Sequence, residues 1–409
     1  MEKDVVIVGG GPAGLAAAVR LRKNGVEDML ILEREKNLGG ILRQCIHDGF
    51  GLTRFGESLS GPEYAQRFID QACSMNIECK TGTTVIDITR DKLVTAVSSE
   101  GMRCYQAKAV VLTMGCRERT RGAIGISGSR PAGVYNAGVA QSYMNLYNTM
   151  VGKEIIILGS GDIGMIMARR FSLEGAKVKA VFEVQPYPSG LPRNIEQCLN
   201  DYQIPLFLSH TVTCIHGKDR VEGVTVSRVD ENLQPIPGTE TDYTCDTLVL
   251  SVGLIPENEL SLLAGVKLDD RTQGAVVDGD LQTNREGIFA AGNVLHVHDL
   301  VDFVSIEAEE LADAATEYLK RGSLPLAITP LKAGQNVGHV IPQIVDGVRD
   351  FKLSLRVKKP LRDCSLVVVQ GEKIVKSVKL HKAIPAEMLQ VQIIGSELTP
   401  GEEIEVRVV

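Results

Sequence analysis

Residues 4–35 read DVVIVGGGPAGLAAAVRLRKNGVEDMLILERE. The run Val5–Val8 is β-branched throughout, which predicts a buried parallel strand. Gly9, Gly11 and Gly14 follow in G-x-G-x-x-G spacing. An alanine-rich helical segment comes next and stops at Asn24-Gly25, a C-terminal signal. A second strand, Met29–Leu32, runs into Glu33 and Arg34. Each glycine serves a purpose: Gly9 permits the tight turn, Gly11 lets backbone approach a pyrophosphate, and Gly14 lets helix pack on strand. The helix start, with Pro12 and Ala13, offers free N–H groups and the positive end of a dipole to that anion. Glu33 can accept both hydroxyls of an adenosine ribose. A G-x-G-x-x-G alone is weak evidence, but strand, turn, helix, strand and acid in order specify a dinucleotide-binding unit.

The pattern recurs in EIIILGSGDIGMIMARRFSLEGAKVKAVFE, residues 154–183. Gly159, Gly161 and Gly164 follow the strand Ile155–Leu158, with Asp162 and Ile163 between the last two glycines. The helix closes at Glu174-Gly175 and the next strand ends at Glu183. In both copies the acid stands 19 residues past the last glycine. Two such units imply two dinucleotides. A 2′-phosphate would be repelled by Glu183 and would favour a nearby arginine. No basic residue intervenes before Arg193, so the second site is read as one for NAD(H) rather than NADP(H).

The rest of the composition narrows the field. The net charge of -7 argues against nucleic acid as the main partner. No apolar run reaches the length of a membrane span. With the first strand starting near Asp4, no signal peptide is expected, and the cytoplasm is the expected compartment. The 9 cysteines are dispersed without a C-x-x-C pair, so reduced thiols are expected and a structural metal or iron–sulfur cluster is not. Strand-like alternation in FKLSLRVKK, SLVVVQGEKIVKSVKL, LQVQII and EEIEVRVV predicts a small β domain at the C-terminus. From Pro325 onward, 12 Lys and Arg face 9 Asp and Glu, so this module is mildly basic on an acidic chain. It reads equally as a docking surface or as a solvated cap.

Taken together, these motifs resemble the two-dinucleotide-domain flavoprotein oxidoreductases, the superfamily of glutathione reductase, thioredoxin reductase and NADH oxidases. Further stretches match. AVVLTMGCRER (109–119) looks like the strand and loop closing the first FAD segment, with Gly115 at the turn. DTLVLSVGLIPEN (246–258) resembles the return from an NAD domain, with Gly253. TNREGIFAAGNV (283–294) resembles the late FAD motif, where Gly292-Asn293 stands in place of the common Gly-Asp. Asn supplies both a donor and an acceptor, so FAD binding is expected to survive that change. The resemblance also implies that Val85, Gly39 and Gly40 lie against FAD. It predicts an α/β chain with two Rossmann-like domains plus a small C-terminal β domain: FAD-binding 1–125 and 255–330, NAD(H)-binding 126–254, and β domain 331–409. A helix over Asp302–Lys320 would aim its positive end at the flavin.

A narrower resemblance joins GGILRQCIHDGFGL (39–52), the Gly-Asn ending and PAEM (385–388). It is to NAD-linked flavoprotein subunits that accompany glycerol-3-phosphate, opine or proline dehydrogenase-type subunits. It implies an oligomer with a partner flavoprotein. Glutathione-type enzymes carry cysteines where this chain has Leu42 and His47, which argues against dithiol exchange. Cys45 and His47 remain candidate catalytic residues. A thiolate beside a histidine is reactive, yet Cys is also a common buried small residue. His47 has a pKa suited to proton movement and is equally suited to a loop hydrogen bond. Cys116 is read as a core residue. Three functional readings stay open. The first is an NAD-linked subunit for electron transfer. The second is a stand-alone NADH oxidase or peroxidase cycling Cys45 through a sulfenic acid. The third is a flavin-bearing structural or interaction subunit.

Overall fold

The computed structural model describes residues 1–409. It resolves two compact units: Met1–Cys116 together with Pro256–Val409, and Arg117–Ile255. The inserted unit starts at Arg117 rather than the expected 126. The Arg119 N–H donates to the Gly253 carbonyl (3.0 Å), which ties the early residues to the unit's own return strand.

In the first unit, β1 (Glu2–Val8), α1 (Pro12–Lys23) and β2 (Met29–Leu32) form the βαβ start. α2 (Gly61–Ser74) and the strands β3 (Glu78–Lys80), β4 (Thr84–Ile88), β5 (Leu93–Ser98) and β6 (Gly101–Leu112) follow. The sheet order is β3-β2-β1-β6-β5-β4, parallel from β3 to β6 and antiparallel beyond. β1 and β2 are apolar through their buried stretches because helices and sheet cover both faces, as parallel strands require. β6 is long enough to be shared. Its first half pairs with β5, and its second half pairs in parallel with Ile288–Ala290. That pairing carries residues 291–294 to the C-terminal end of β1, beside the first glycine turn.

The long helix Val301–Arg321 packs on α1 and ends at Gly322, whose φ is 80°. Residues from Thr329 onward form two small sheets with a hydrophobic core of their own, including Leu353, Leu355, Val368 and Val406. The strands Thr329–Ala333, Val337–Ile341 and Ile344–Val345 were not anticipated, because Pro330, Gly334, Gly338 and Pro342 interrupt their alternation.

The second unit repeats the plan. Five parallel strands run in the order Leu206–Leu208, Lys177–Glu183, Glu154–Leu158, Thr247–Leu250, Val134–Asn136. The helix Asp162–Leu173 follows the central strand. No helix in the molecule is long and apolar enough to cross a membrane.

Candidate functional site

At the first glycine turn, Gly9 adopts φ 108°, and a Cβ there would meet the Thr113 carbonyl oxygen at 2.5 Å. A Cβ on Gly14 would overlap the Gly9 carbonyl. These two glycines therefore let β1, β6 and α1 close together. Gly11 differs: the nearest atom to its absent Cβ is Gly40 Cα at 3.9 Å, so the space above it is open. Gly11 caps α1 without any side-chain cap, and the first turn, with Pro12 and Ala13, holds no acid. Its free N–H groups form a cradle suited to a pyrophosphate.

Glu33 is buried at the end of β2. Its Oε2 accepts the Gly10 N–H (2.7 Å) and its Oε1 accepts the Glu35 N–H (2.8 Å). Each oxygen keeps a lone pair for a ribose hydroxyl. Gly39 donates its N–H to the Gly10 carbonyl (2.8 Å), which lays the Gly39-Gly40 segment over the turn. Arg34 is exposed, and Val85 on β4 is half-buried against the core. The Gly115 carbonyl accepts the Glu257 N–H (3.0 Å). Gly292 approaches Ala13, with a Cβ at Gly292 only 3.0 Å from that methyl group. Gly9 to Gly14, Glu33, Gly39, Gly40, Gly115, Gly292 and Asn293 are thus gathered at one end of the first sheet.

Asn293 is committed to the protein. Its Oδ1 accepts the His298 backbone N–H (3.1 Å), and its Nδ2 points to Cys116 Sγ (3.6 Å). Cys116 is therefore half-buried beside this loop, which corrects its reading as a core residue.

The second turn is built alike, with Gly159 at φ 95° and Gly164 held against Ser251. Gly161 caps the helix Asp162–Leu173, Ile163 packs on the core, and exposed Gly253 turns at φ 103°. Glu183 is more crowded than Glu33. Its Oε2 accepts Ser160 N–H (2.9 Å), Ser160 Oγ (2.6 Å) and Ser189 Oγ (2.7 Å), and its Oε1 accepts Gln185 N–H (2.9 Å). Asp162 in the first helical turn accepts Leu191 N–H (2.8 Å) and Asn194 Nδ2 (2.6 Å).

Cys45 lies in the segment between Gly40 and α2. Its carbonyl accepts the Gly61 N–H (2.8 Å), and its thiol lies 3.4 Å from the Ile41 carbonyl. Burial pushes the Cys45 thiol up to about 12, so it stays protonated at neutral pH. No disulfide joins any of the 9 cysteines. His47 packs at a tilt against Phe50 (centroids 4.9 Å apart, planes at 39°), and its Nδ1 faces the Asp48 carbonyl (3.1 Å). Asp302, at the start of the long helix, binds this segment: its oxygens accept the N–H groups of Gly51 and Thr53, each at 2.8 Å.

Sequence reasoning missed the polar cluster that follows Asn293. His296, His298 and Glu307 meet there, and Arg356 reaches the Val297 carbonyl and Asp299 Oδ1, both at 3.1 Å. Arg356 also donates to the Pro385 carbonyl (2.9 Å), which brings the PAEM segment to this loop. Burial pushes the Glu307 carboxyl up, but the His298 and His296 imidazoles outweigh it and hold the group below the usual carboxylate range. Burial, aided by the neighbouring His298, pushes the His296 imidazole below its ordinary value. The signal in the sequence was the pair of histidines two apart in HVHD.

The family model for pyridine nucleotide-disulphide oxidoreductases matches residues 3–317. The chain belongs to this family. It is an NAD(P)H-linked flavoprotein oxidoreductase, and the family uses FAD and NAD(P)H. It is 26% identical over 365 residues to the glutamate synthase [NADPH] small chain of Mycobacterium tuberculosis, covering 81% of this chain and 70% of that one. It is 25% identical over 312 residues to an opine oxidase subunit of Agrobacterium tumefaciens, covering 71% and 61%. Among solved structures, T. acidophilum thioredoxin reductase matches with a TM-score of 0.64 at 25% identity, covering 77% of this chain and 98% of that one.

Proposed function

We propose that this flavoprotein is the NAD(H)-linked subunit of a multi-subunit dehydrogenase and exchanges electrons with a partner flavoprotein. In this reading FAD occupies the first turn, held within 1–125 and 255–330. NAD(H) occupies the second, within 126–254, and the β module from 331 serves assembly. Bound FAD would supply the hydride-accepting centre. The protein contributes binding and orientation. The α1 N–H groups and Gly11 receive the pyrophosphate, and Glu33 receives the ribose. Gly39, Gly40, Gly292 and Asn293 shape the flavin side, and Glu183 with the helix start at Gly161 receives NAD(H).

The observation that carries the reading is the state of Cys45. Burial holds the Cys45 thiol protonated, and Leu42 and His47 stand at the two positions where glutathione-type enzymes carry cysteines, while both glycine turns keep their dinucleotide-cradle geometry. This arrangement argues against a dithiol outlet and disfavours a sulfenic-acid cycle, which needs a thiolate. The relatives named as a small chain and as an oxidase subunit support an assembly with another chain. The first of these is named for NADPH, so coenzyme choice here rests on Glu183.

The test has two arms. Anaerobic NADH should bleach the flavin of the isolated chain quickly, whereas its oxygen consumption should be slow. Purification from the native host should bring down a second flavoprotein in stoichiometric amount. Rapid oxygen turnover by the isolated chain, abolished in Cys45→Ala, would replace this reading with the stand-alone oxidase.

A further inference from the structure

The loop GNVLHVHD (292–299) and the long helix hold a polar cluster that neither dinucleotide cradle uses. The side chains of His296, His298 and Glu307 are 1%, 2% and 8% exposed. Glu307 Oε2 lies 2.7 Å from His296 Nε2 and 3.3 Å from His298 Nε2. All three atoms fall within 4.8 Å of one another. The other oxygen, Oε1, accepts the Gly292 N–H at 2.7 Å.

The hydrogen bonds around the cluster fix which nitrogen of His298 faces Glu307. Asn293 Oδ1 accepts the His298 backbone N–H, which fixes the amide's orientation. His298 Nδ1 lies 3.3 Å from that same oxygen, an atom with no proton to give, so the ring donates from Nδ1. Its Nε2 is the nitrogen left to face Glu307. Nearby, His296 Nδ1 and His339 Nε2 are both buried without a hydrogen-bond partner, and their rings lie 6.2 Å apart. Neither is one of the three converging atoms, which are His296 Nε2, His298 Nε2 and Glu307 Oε2.

We propose that His296, His298 and Glu307 bind a divalent first-row transition ion of the zinc class. Two imidazoles and one carboxylate are a donor set for such ions, with a fourth position left for water. Ligand atoms around a tetrahedral ion with bonds of about 2.1 Å stand about 3.4 Å apart, so the observed spacings need only small side-chain shifts. Asn293 holds the second nitrogen of His298, the support from behind that metal-binding histidines usually have. A cleft of about 520 Å³ reaches Glu307 and is lined by Asp278, Asp280, Glu310 and Glu317 together with Arg349 and Lys352. Because Glu307 also binds Gly292, the ion fastens the loop Gly292–Asn293 to the long helix.

The test uses the full-length flavoprotein, stripped with chelator and then titrated with Zn²⁺ or Co²⁺. About one ion per chain is expected by elemental analysis, with visible d–d absorption for Co²⁺ that indicates nitrogen and oxygen ligation. His298→Gln and Glu307→Gln should each weaken binding at least about 10-fold. His381→Gln, at a fully exposed histidine, should leave it unchanged. Flavin absorbance and circular dichroism report separately that the chain is folded; if Glu307→Gln fails to fold, His298→Gln decides. A folded wild-type chain that takes up no ion, or binding that survives His298→Gln unchanged, overturns the proposal and assigns a proton to the space between His298 and Glu307.

Discussion

The two glycine turns share spacing, helix and acid, yet they are not equivalent. At the first, the helix mouth holds no acid, and Glu33 is gripped by two backbone amides that leave lone pairs free. At the second, Asp162 stands in the first turn, and Glu183 already accepts four protein donors. An acid at a helix start favours the helix by about 0.3–1 kcal/mol but opposes a pyrophosphate at the same dipole. A ribose reaching Glu183 must also displace the Ser160 or Ser189 hydroxyl. On the proposed assignment, the first cradle suits a nucleotide that stays and the second one that leaves. This is the division of labour required between a resident flavin and a diffusing coenzyme.

The sharpest way to break that comparison is Gly11→Val. Added bulk at Gly14 would collide with the Gly9 carbonyl and disturb the fold, whereas the space over Gly11 is open. The Gly11 change should therefore leave circular dichroism intact while flavin content falls to about a tenth or less, because only the pyrophosphate needs that space. A yellow Gly11→Val protein would show that the first turn does not hold FAD. Next in size is Glu183→Ala. Removing the acid ends repulsion of a 2′-phosphate, so the preference for NADH over NADPH, read as the ratio of kcat/KM values, should fall about 10-fold or more. An unchanged ratio would place coenzyme choice elsewhere.

The fold itself was legible, because its determinants are local. Val5–Val8, the three glycines and Glu33 specify a βαβ unit within 30 residues, and the same pattern from Ile155 to Glu183 specifies the second. Boundaries were less legible. Residues 117–125 join the inserted unit through a contact with Gly253, more than a hundred positions away, which no local pattern encodes. The crowding at Glu183 was hidden for the same reason: Ser189 returns to it only through the shape of the intervening loop. The His296–His298–Glu307 cluster needed the long helix to be placed before it existed at all. The helix expected over Asp302–Lys320 runs Val301–Arg321, but the grip of Asp302 on Gly51 and Thr53, some 250 positions away, has no local signal.

A smaller effect is expected from Asp162→Asn. The amide oxygen can still accept from Leu191 and Asn194, so the loop should hold while the negative charge disappears. Relief of about 0.3–1 kcal/mol at the dipole corresponds to NADH binding tighter by about 2- to 5-fold, measurable by titration of the oxidised protein with a non-reducing NADH analogue. Weaker binding would mean that Asp162 contacts the coenzyme directly and that the two cradles differ in another way.

The smallest effect at neutral pH concerns Cys45→Ala, where NADH-to-dye electron transfer should stay near wild type. The consequence of this thiol lies at alkaline pH. Its ordinary value of 9.0 applies in the unfolded chain, and burial raises the folded value to about 12. Between these limits the unfolded chain binds fewer protons than the folded one. Stability therefore falls as pH rises across that window, whereas below pH 9 the group contributes no slope. Cys45→Ala should flatten this alkaline loss in denaturant titrations followed from pH 9 upward. Alkylating reagents should modify the wild-type thiol slowly at neutral pH. Rapid alkylation there, or an unchanged alkaline slope in the variant, would mean that the thiol ionises readily, and the case for an electron outlet through Cys45 would reopen.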